Sequence, residues 1–540
     1  MGKGSWTDWG CGGFGNGGSG GGVGATGFPA QDICGSNVVR VDILGAKKMA
    51  FLMVVVVSLW SVWPAMIKPN RISDYGSDGW FINWAIGRQG KIVSDIVRDP
   101  KTGVGAVFGG NIFYPYKNTL AYSEMFTLSG ILSTPVSLLS NSPGPASGVV
   151  MVVGQVATMA LLYLWFGKGW GGVIGTIAFG LSQIRWEYQV HLQMWSHQYW
   201  LVGTWLLSSS LRERKFWKLM AGAILVGLQA WESVLPVYFA AIVLSAQCLV
   251  LREKISIKHL VLAGIIVGVV AWPVVKVYSG VAREFNYQRS IRDAAAGSIG
   301  IDDLWGKFWS PGLYVLLVVA VLSTKGRVLR MKETRWWVVV MIIGLVMALG
   351  PALKWQGKTV KIGGKYPIPL PYAAAYYSVP GFGALRTPSR WMWLAGWGAS
   401  GLIAIGLTNT SRRGIFSVGV IGVLLVAVVG GTHLTKYIEL PKPEDFPAVY
   451  KWLVSQPGDV IVELPVGGDE RESKRMYYSL VHGKNLVNGF SGFAPPVSDW
   501  RNVGVNYVIV HKDECPKLND QCSMKGKIAY EDEATVVVRP

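Results

Sequence analysis

Between Lys48 and Lys68 the chain runs for nineteen residues without a charge, enough to cross the hydrocarbon core of a bilayer as one helix. Few sequence features constrain a fold so strongly, because in lipid every backbone N–H and C=O must be satisfied within the segment itself. Ten further uncharged runs follow, at 146–167, 169–184, 192–211, 219–231, 233–251, 259–275, 308–324, 336–353, 391–411 and 414–435. Two of them, 169–184 and 219–231, are short for a crossing unless their flanks extend them. With 51% apolar and only 15% charged residues, the chain reads as an α-helical integral membrane protein of about 11 transmembrane helices, placed in an inner or plasma membrane.

The formal net charge is +19, which in a soluble chain would point to nucleic acid. Here the basic residues gather between apolar runs, so no nucleic-acid partner is expected. Arg212, Arg214, Lys215 and Lys218 form one cluster, and Arg252, Lys254 and Lys258 a second. Lys325, Arg327, Arg330, Lys332 and Arg335 form a third, and Arg412 with Arg413 a fourth. Counting alternately from a cytoplasmic N-terminus puts all four on the cytoplasmic side. The apolar stretch 125–139 is left out of that count, since a crossing there would move the Arg212 cluster outside, and Gly130 and Pro135 interrupt it. It is expected to be a re-entrant or interfacial piece within a long outer loop, 68–145.

Three regions follow from composition. Residues 1–45 are read as a disordered, glycine-rich cytoplasmic tail, with fourteen glycines in the first 36 positions and too little apolar surface to offset ordering. Residues 46–439 form the membrane domain. Residues 440–540 read as a small soluble α/β domain, with helical character at 448–454 and strands at 459–464, 507–511 and 535–539. An odd number of crossings places it outside the cytoplasm, where Cys515 and Cys522 lie close enough in sequence to form a bridge.

The same topology sorts the polar residues. The stretch 73–84, Ser-Asp-Tyr-Gly-Ser-Asp-Gly-Trp-Phe-Ile-Asn-Trp, holds Asp74 and Asp78 where the chain leaves the lipid, and its small residues predict a turn. Glu124, Arg185, His191, Gln193, His197, Glu232, Arg283, Arg289, Arg386 and Arg390 fall on the same outer side. Singly, each has a plain explanation as an ion pair, a helix cap or a headgroup anchor. Together, carboxylates serve as general bases and arginines clamp a phosphate, which suits transfer of a group from a lipid-linked phosphate. The alternative is a transporter or flippase of lipid-linked sugars; against it, the halves show no internal repeat and most runs lack ionisable residues in their middles.

These residues also carry a resemblance. Asp78 with Phe81, Asn83 and Trp84, then Asn111-Ile-Phe-Tyr-Pro-Tyr-Lys-Asn-Thr-Leu-Ala-Tyr-Ser-Glu124, then Arg185 with His191-Leu-Gln193, are similar to a family of bacterial multispanning GT-C type glycosyltransferases. The likeness continues in Val379-Pro-Gly-Phe-Gly-Ala-Leu-Arg-Thr-Pro-Ser-Arg390, in Val462-Glu-Leu-Pro465, in Asn488-Gly-Phe-Ser-Gly-Phe-Ala-Pro495 and in Gly504-Val-Asn-Tyr-Val-Ile-Val-His511. It departs at Gly109, where relatives often carry Asp. The resemblance implies a GT-C-like bundle and an inverting transferase that uses a polyprenyl-phosphate-linked sugar donor and an unknown extracytoplasmic acceptor. Asp78 then stands at the position of the catalytic acid, with Asp74 the second choice. Arg386, Arg390 and Arg289 are the expected donor-phosphate ligands, and Glu124, Arg185, His191, Gln193 and Glu232 the expected substrate contacts. Nothing in the spacing demands a cofactor; a divalent metal, if used, would draw on Asp74, Asp78 or Glu124.

Overall fold

The computed structural model describes residues 43–140, 143–167, 169–251, 256–305, 309–408, 437–515 and 526–540. The glycine-rich tail to residue 42, the expected crossing 414–435, Arg252, Lys254, Arg412, Arg413 and Cys522 lie outside them.

The described apolar runs fold as helices. α1 (Ile43–Ser61) continues almost directly into α2 (Trp63–Ile67), where Pro64 occupies the first turn and removes no helical hydrogen bond. A short strand β1 (Arg71–Ser73) leads to α3 (Ser77–Arg98), followed after a long loop by α4 (Thr127–Ser140). The turn predicted over 73–84 is therefore confined to 74–76, and Asp78 stands in the first turn of a 22-residue helix. Gly76, at φ +55°, absorbs the reversal alone. Beyond it, Trp80, Phe81, Trp84 and Ala85 are buried, and that burial overrides the local turn signal. α4 spans 14 residues, about 21 Å and shorter than a bilayer core. It lies along α3, where a Cβ on Gly130 would come within 3.1 Å of Gly90 N.

The remaining helices are α5 (Pro145–Phe166), α6 (Trp170–Gly180), α7 (Gln183–Glu187), α8 (Leu192–Trp195), α9 (Gln198–Glu213), α10 (Phe216–Gln229), α11 (Leu235–Leu251), α12 (Ile257–Glu284), α13 (Ile291–Ala296), α14 (Pro311–Ser323), α15 (Lys332–Ala348), α16 (Pro371–Ser378) and α17 (Met392–Thr408). Two small ribbons, β2 (Lys354–Trp355) with β3 (Lys358–Thr359) and β4 (Lys361–Ile362) with β5 (Tyr366–Pro367), separate α15 from α16. Among the described residues three helices are long and apolar enough to cross a membrane: Pro145–Phe166, Ile257–Glu284 and Pro388–Thr408. Four apolar helices are shorter, Phe216–Gln229, Leu235–Leu251, Pro311–Ser323 and Thr334–Ala348. The run 192–211 is not one helix, because α8 and α9 meet at Ser196 and His197.

Two helices show opposite uses of an apolar surface. α12 leaves Val261, Ile265, Val269, Trp272 and Val275 exposed along one side, the face a lipid would cover. α17 is buried almost throughout and packs on α6, α14 and α15. The approach is close because glycines line it. A Cβ on Gly398 would lie 2.8 Å from Met341 N of α15, and one on Gly406 would lie 2.7 Å from Ala320 Cβ of α14. Small residues that let helix backbones meet are the usual means of holding helices together without a hydrophobic driving force.

The C-terminal region begins at β6 (Tyr437–Glu439), which pairs antiparallel with β1. It continues with α18 (Ala448–Val454), β7 (Val460–Leu464), α19 (Asp469–His482), β8 (Asn485–Leu486), β9 (Tyr507–His511), β10 (Lys527–Glu531) and β11 (Thr535–Arg539). The five-stranded sheet has the order β10-β11-β9-β7-β8, with β7 parallel to both β8 and β9. The helix at 448–454 and the strands near 460, 507 and 535 stand where the sequence predicts them; α19, β8 and β10 were not predicted.

Gly398→Ala forces a methyl onto backbone and is expected to destabilise the fold by about 1–3 kcal/mol. Gly264→Ala on α12, where a Cβ meets nothing within 4 Å, is expected to be neutral. Thermal unfolding of the two variants in detergent checks the contrast.

Candidate active site

The first turn of α3 presents Asp78, and the segment that enters α17 presents Arg386 and Arg390. Asp78 is half-buried and, among the described residues, its carboxylate makes no hydrogen bond. Burial raises its proton affinity above the ordinary carboxylate range; Arg386 and then Arg390 act in the opposite direction, and Asp469 adds to the rise. The acid is thus held between the effect of its burial and that of two cations. Arg386 is exposed. Arg390 is held: its Nη1 donates to Glu124 Oε1 at 3.1 Å, while its Nε is buried without a partner among the described residues.

Glu124 sits just before α4 and accepts a second hydrogen bond from Ser233 Oγ at 3.1 Å. The turn that carries Ser233 also carries Glu232, which is fully buried. Its Oε2 accepts from the backbone N–H of Ser129 at 2.9 Å, and its Oε1 is hydrogen-bonded to Ser129 Oγ. A carboxyl from the α10–α11 connection therefore caps the N-terminus of α4. Glu232 holds the scaffold under Glu124 and does not face the rim.

His191 belongs to the rim. Burial and the nearby Arg390 and Arg386 hold its ring well below the ordinary histidine value, so it stays neutral. Tyr75 packs edge-on to it at 6.1 Å, and Tyr188 lies tilted against it at 5.9 Å. Tyr188 in turn shares a 2.6 Å hydrogen bond with Ser389 Oγ, tying the α7 connection to the segment between Arg386 and Arg390. Arg289 reaches the same area from the loop after α12. Its Nη2 donates to Gly492 O at 3.0 Å, and its backbone carbonyl accepts from Tyr376 Oη.

The other expected residues are placed differently. Asp74 is exposed on the turn and has no hydrogen-bond partner among the described residues. Arg185 is fully buried below the rim. Its Nε donates to Gln155 Oε1 at 2.7 Å and its Nη2 to Trp195 O at 3.2 Å, and the guanidinium stacks 4.0 Å over the Trp195 ring. The enclosed cation rests on dipoles and ring faces, while its Nη1 has no hydrogen-bond partner among the described residues. Gln193 is buried on α8 with its Oε1 unpaired among the described residues. Among the described residues no group of three His, Cys, Asp or Glu side chains is arranged to hold a metal ion.

Several rim residues escape the sequence reading. Tyr75 lies inside the stretch that holds both acids, and its signal is the aromatic itself. Asp469 opens α19, which runs parallel to α3: Tyr477 meets Trp80 with ring centroids 5.5 Å apart, Lys474 lies 5.6 Å over Trp80, and Leu480 abuts Gly87. The parallel packing brings the N-terminal turns of both helices together. The sequence signal for α19 was an acidic start, Asp469-Glu470, after two glycines.

No family model matches the chain, and no curated protein does. Among solved structures it is similar to the arabinofuranosyltransferase AftD from Mycobacteria, with 12% identity and a TM-score of 0.53 over 91% of this chain. The chain has a GT-C-like fold. It spans 40% of the length of AftD. Looser likenesses are to ArnT from Cupriavidus metallidurans bound to undecaprenyl phosphate, at 12% identity and TM-score 0.48 over 92% of this chain and 98% of that one, and to the same protein in the apo state, at 12%, 0.44, 91% and 98%.

Burial pushes the Glu232 carboxyl up to about 7. The folded state then holds a proton that the unfolded state releases, so this contribution is full below the ordinary glutamate value and is lost as pH rises through about 7. Glu232→Gln, permanently neutral, is expected to flatten the fall in thermal stability between roughly pH 5 and pH 8, by up to about 3 kcal/mol. Melting of the wild type and the variant across that range checks it.

Proposed function

We propose that the chain is a membrane glycosyltransferase that moves a sugar from a polyprenyl-phosphate donor to an extracytoplasmic acceptor with inversion. The observation that carries this reading is an unpaired carboxylate, Asp78, facing Arg386 and Arg390 at the mouth of a GT-C-like bundle. The N-terminus is then cytoplasmic, and the C-terminal sheet domain shares the outer face with the site.

In the proposed reaction the donor phosphate meets Arg386, Arg390 and Arg289, with its lipid tail lying between helices. An acceptor hydroxyl gives its proton to Asp78, and its oxygen attacks the anomeric carbon from the side opposite the phosphate. The carbon–oxygen bond to phosphate breaks and its electron pair leaves on the lipid phosphate. The arginines stabilise that charge as it develops, so no second carboxylic acid has to protonate the leaving group. Glu124 acts on Arg390, holding one edge of its guanidinium so that the rest faces the donor. The rings of Tyr75 and Tyr188, with neutral His191, offer apolar faces and hydrogen-bonding edges to a sugar.

The purified protein is to be supplied with labelled polyprenyl-phosphate sugars. Asp78→Asn is expected to lower transfer by about 10²–10⁴-fold, the range of general-base contributions, while Asp74→Asn leaves it nearly unchanged. Transfer that survives Asp78→Asn removes the base from the scheme, and facilitated movement of lipid-linked sugar without transfer removes the reaction. A second measurement uses the pH profile. Arg386 lowers the proton affinity of Asp78, so Arg386→Gln is expected to shift the acid limb of kcat/KM to higher pH in addition to weakening donor binding. An unmoved limb would separate the titrating group from Asp78.

A further inference from the structure

From residue 334 to residue 438 the sequence contains no Asp or Glu, and within that stretch the two ribbons between α15 and α16 carry Lys354, Lys358, Lys361 and Lys365. Lys354 is engaged, its Nζ donating to Ser298 O at 3.2 Å. The other three are exposed and, among the described residues, none has a carboxylate partner. Between them stand largely exposed apolar side chains: Trp355 is 52% exposed, Ile362 63% and Tyr366 63%, with Tyr377 of α16 at 75%. Tyr366 carries Lys365 over its ring at 5.2 Å, and Tyr377 meets the Tyr376 ring. Nearly every side chain from 355 to 367 is exposed, Thr359 and Val360 being half-buried.

A soluble surface avoids this combination. Cations without a carboxylate partner, interleaved with large exposed rings and an isoleucine, leave most of that charge and apolar area uncompensated by the protein itself. The ribbons begin six residues after the apolar helix Thr334–Ala348 ends, so they stand where a chain leaving the lipid meets the headgroups. Tryptophan and tyrosine favour that layer, and lysines there are drawn to anionic lipid.

We propose that the ribbon segment 354–367 is an interfacial anchor that docks on anionic phospholipid headgroups of the outer leaflet. Trp355, Ile362 and Tyr366 enter the headgroup and upper acyl region, and Lys358, Lys361 and Lys365 pair with lipid phosphates. The backbone contacts of the ribbon then transmit its position inward. Lys354 O accepts from Ile301 N at 3.1 Å, and the loop after α13 that carries Ile301 also holds Gly297, whose carbonyl accepts from Ser389 N at 3.1 Å. The anchor therefore braces the segment between Arg386 and Arg390. It stands independently of the proposed reaction.

The test places a nitroxide at Ile362→Cys in the full chain, which keeps an apolar group at the ribbon, and subtracts the signal of the parent chain labelled alike. The protein is reconstituted in phosphatidylcholine vesicles with and without phosphatidylglycerol, and collision rates with oxygen and with a water-soluble nickel chelate are compared. Each lysine near an anionic surface raises occupancy of the docked state by about fivefold, so the ratio of oxygen to nickel collisions is expected to rise when phosphatidylglycerol is present. High salt, or Lys358→Gln, Lys361→Gln and Lys365→Gln together, is expected to reverse that rise. A label that stays in water in both lipids, or a depth indifferent to lipid charge and to the three substitutions, overturns the proposal. So does a response to soluble polyanion in the absence of any response to lipid.

Discussion

The site depends on how closely α17 can approach its neighbours. The helix begins two residues after Arg390, and its path is set by backbone-to-backbone contacts with α15, α14 and α6 that only glycine permits at positions such as 398 and 406. A helix fixed in that way leaves the preceding segment little freedom. Arg386 and Arg390 therefore project from a rigid base, and the Arg390–Glu124 pair closes on a partner held equally firmly by Ser233. Electrostatic stabilisation of a developing charge needs donors that do not have to reorganise, and a buried helix is the natural support for them.

The C-terminal domain is part of that support. Asn111, in the loop between α3 and α4, donates through its Nδ2 to Ser479 Oγ and to Lys484 O, each at 2.9 Å, and accepts from Trp84 Nε1 at 3.1 Å. One buried amide thus joins α3, the loop and α19. The same loop runs along β8, with Leu486 N donating to Asn111 O and Tyr114 N to Leu486 O, both at 2.9 Å. Asn488 accepts from Glu463 N and donates to Glu472 Oε2 within the domain. Two motifs that carry the family likeness, those around Asn111 and Asn488, are thereby explained as joints. In the proposed reaction the chemistry stays with Asp78 and the arginines.

Much of the architecture was legible because charge and hydropathy act over whole segments. Uncharged runs must become helices, and a compositional shift near residue 440 marks where sheet replaces bundle. The lengths of individual helices were not legible, since breaks such as the one at Ser196 and His197 come from tertiary packing. At the site the sequence could place a polar residue near a helix end without showing which way it turns. Arg185 and Glu232 both turn inward, one onto the Trp195 ring and the other onto the N-terminus of α4. Asp469 lies nearly four hundred residues from Asp78 in sequence, and only the parallel seating of α19 on α3 brings the two together.

The balance at Asp78 is what distinguishes it from Asp74. A base needs enough proton affinity to take a proton from a hydroxyl and enough stabilisation to be ionised beforehand. Asp74 stands on an exposed turn where water screens its neighbours. Asp78, in the first turn of α3 and half-buried, has burial and Asp469 raising its affinity while Arg386 and Arg390 favour its charge. Those opposing influences come from three separate parts of the chain: the start of α3, the entry to α17 and the start of α19. None of them alone makes a useful base, since burial without the arginines favours the neutral acid and arginines without burial favour an inert ion pair. The fold's contribution to the proposed chemistry is to bring the three parts to one point.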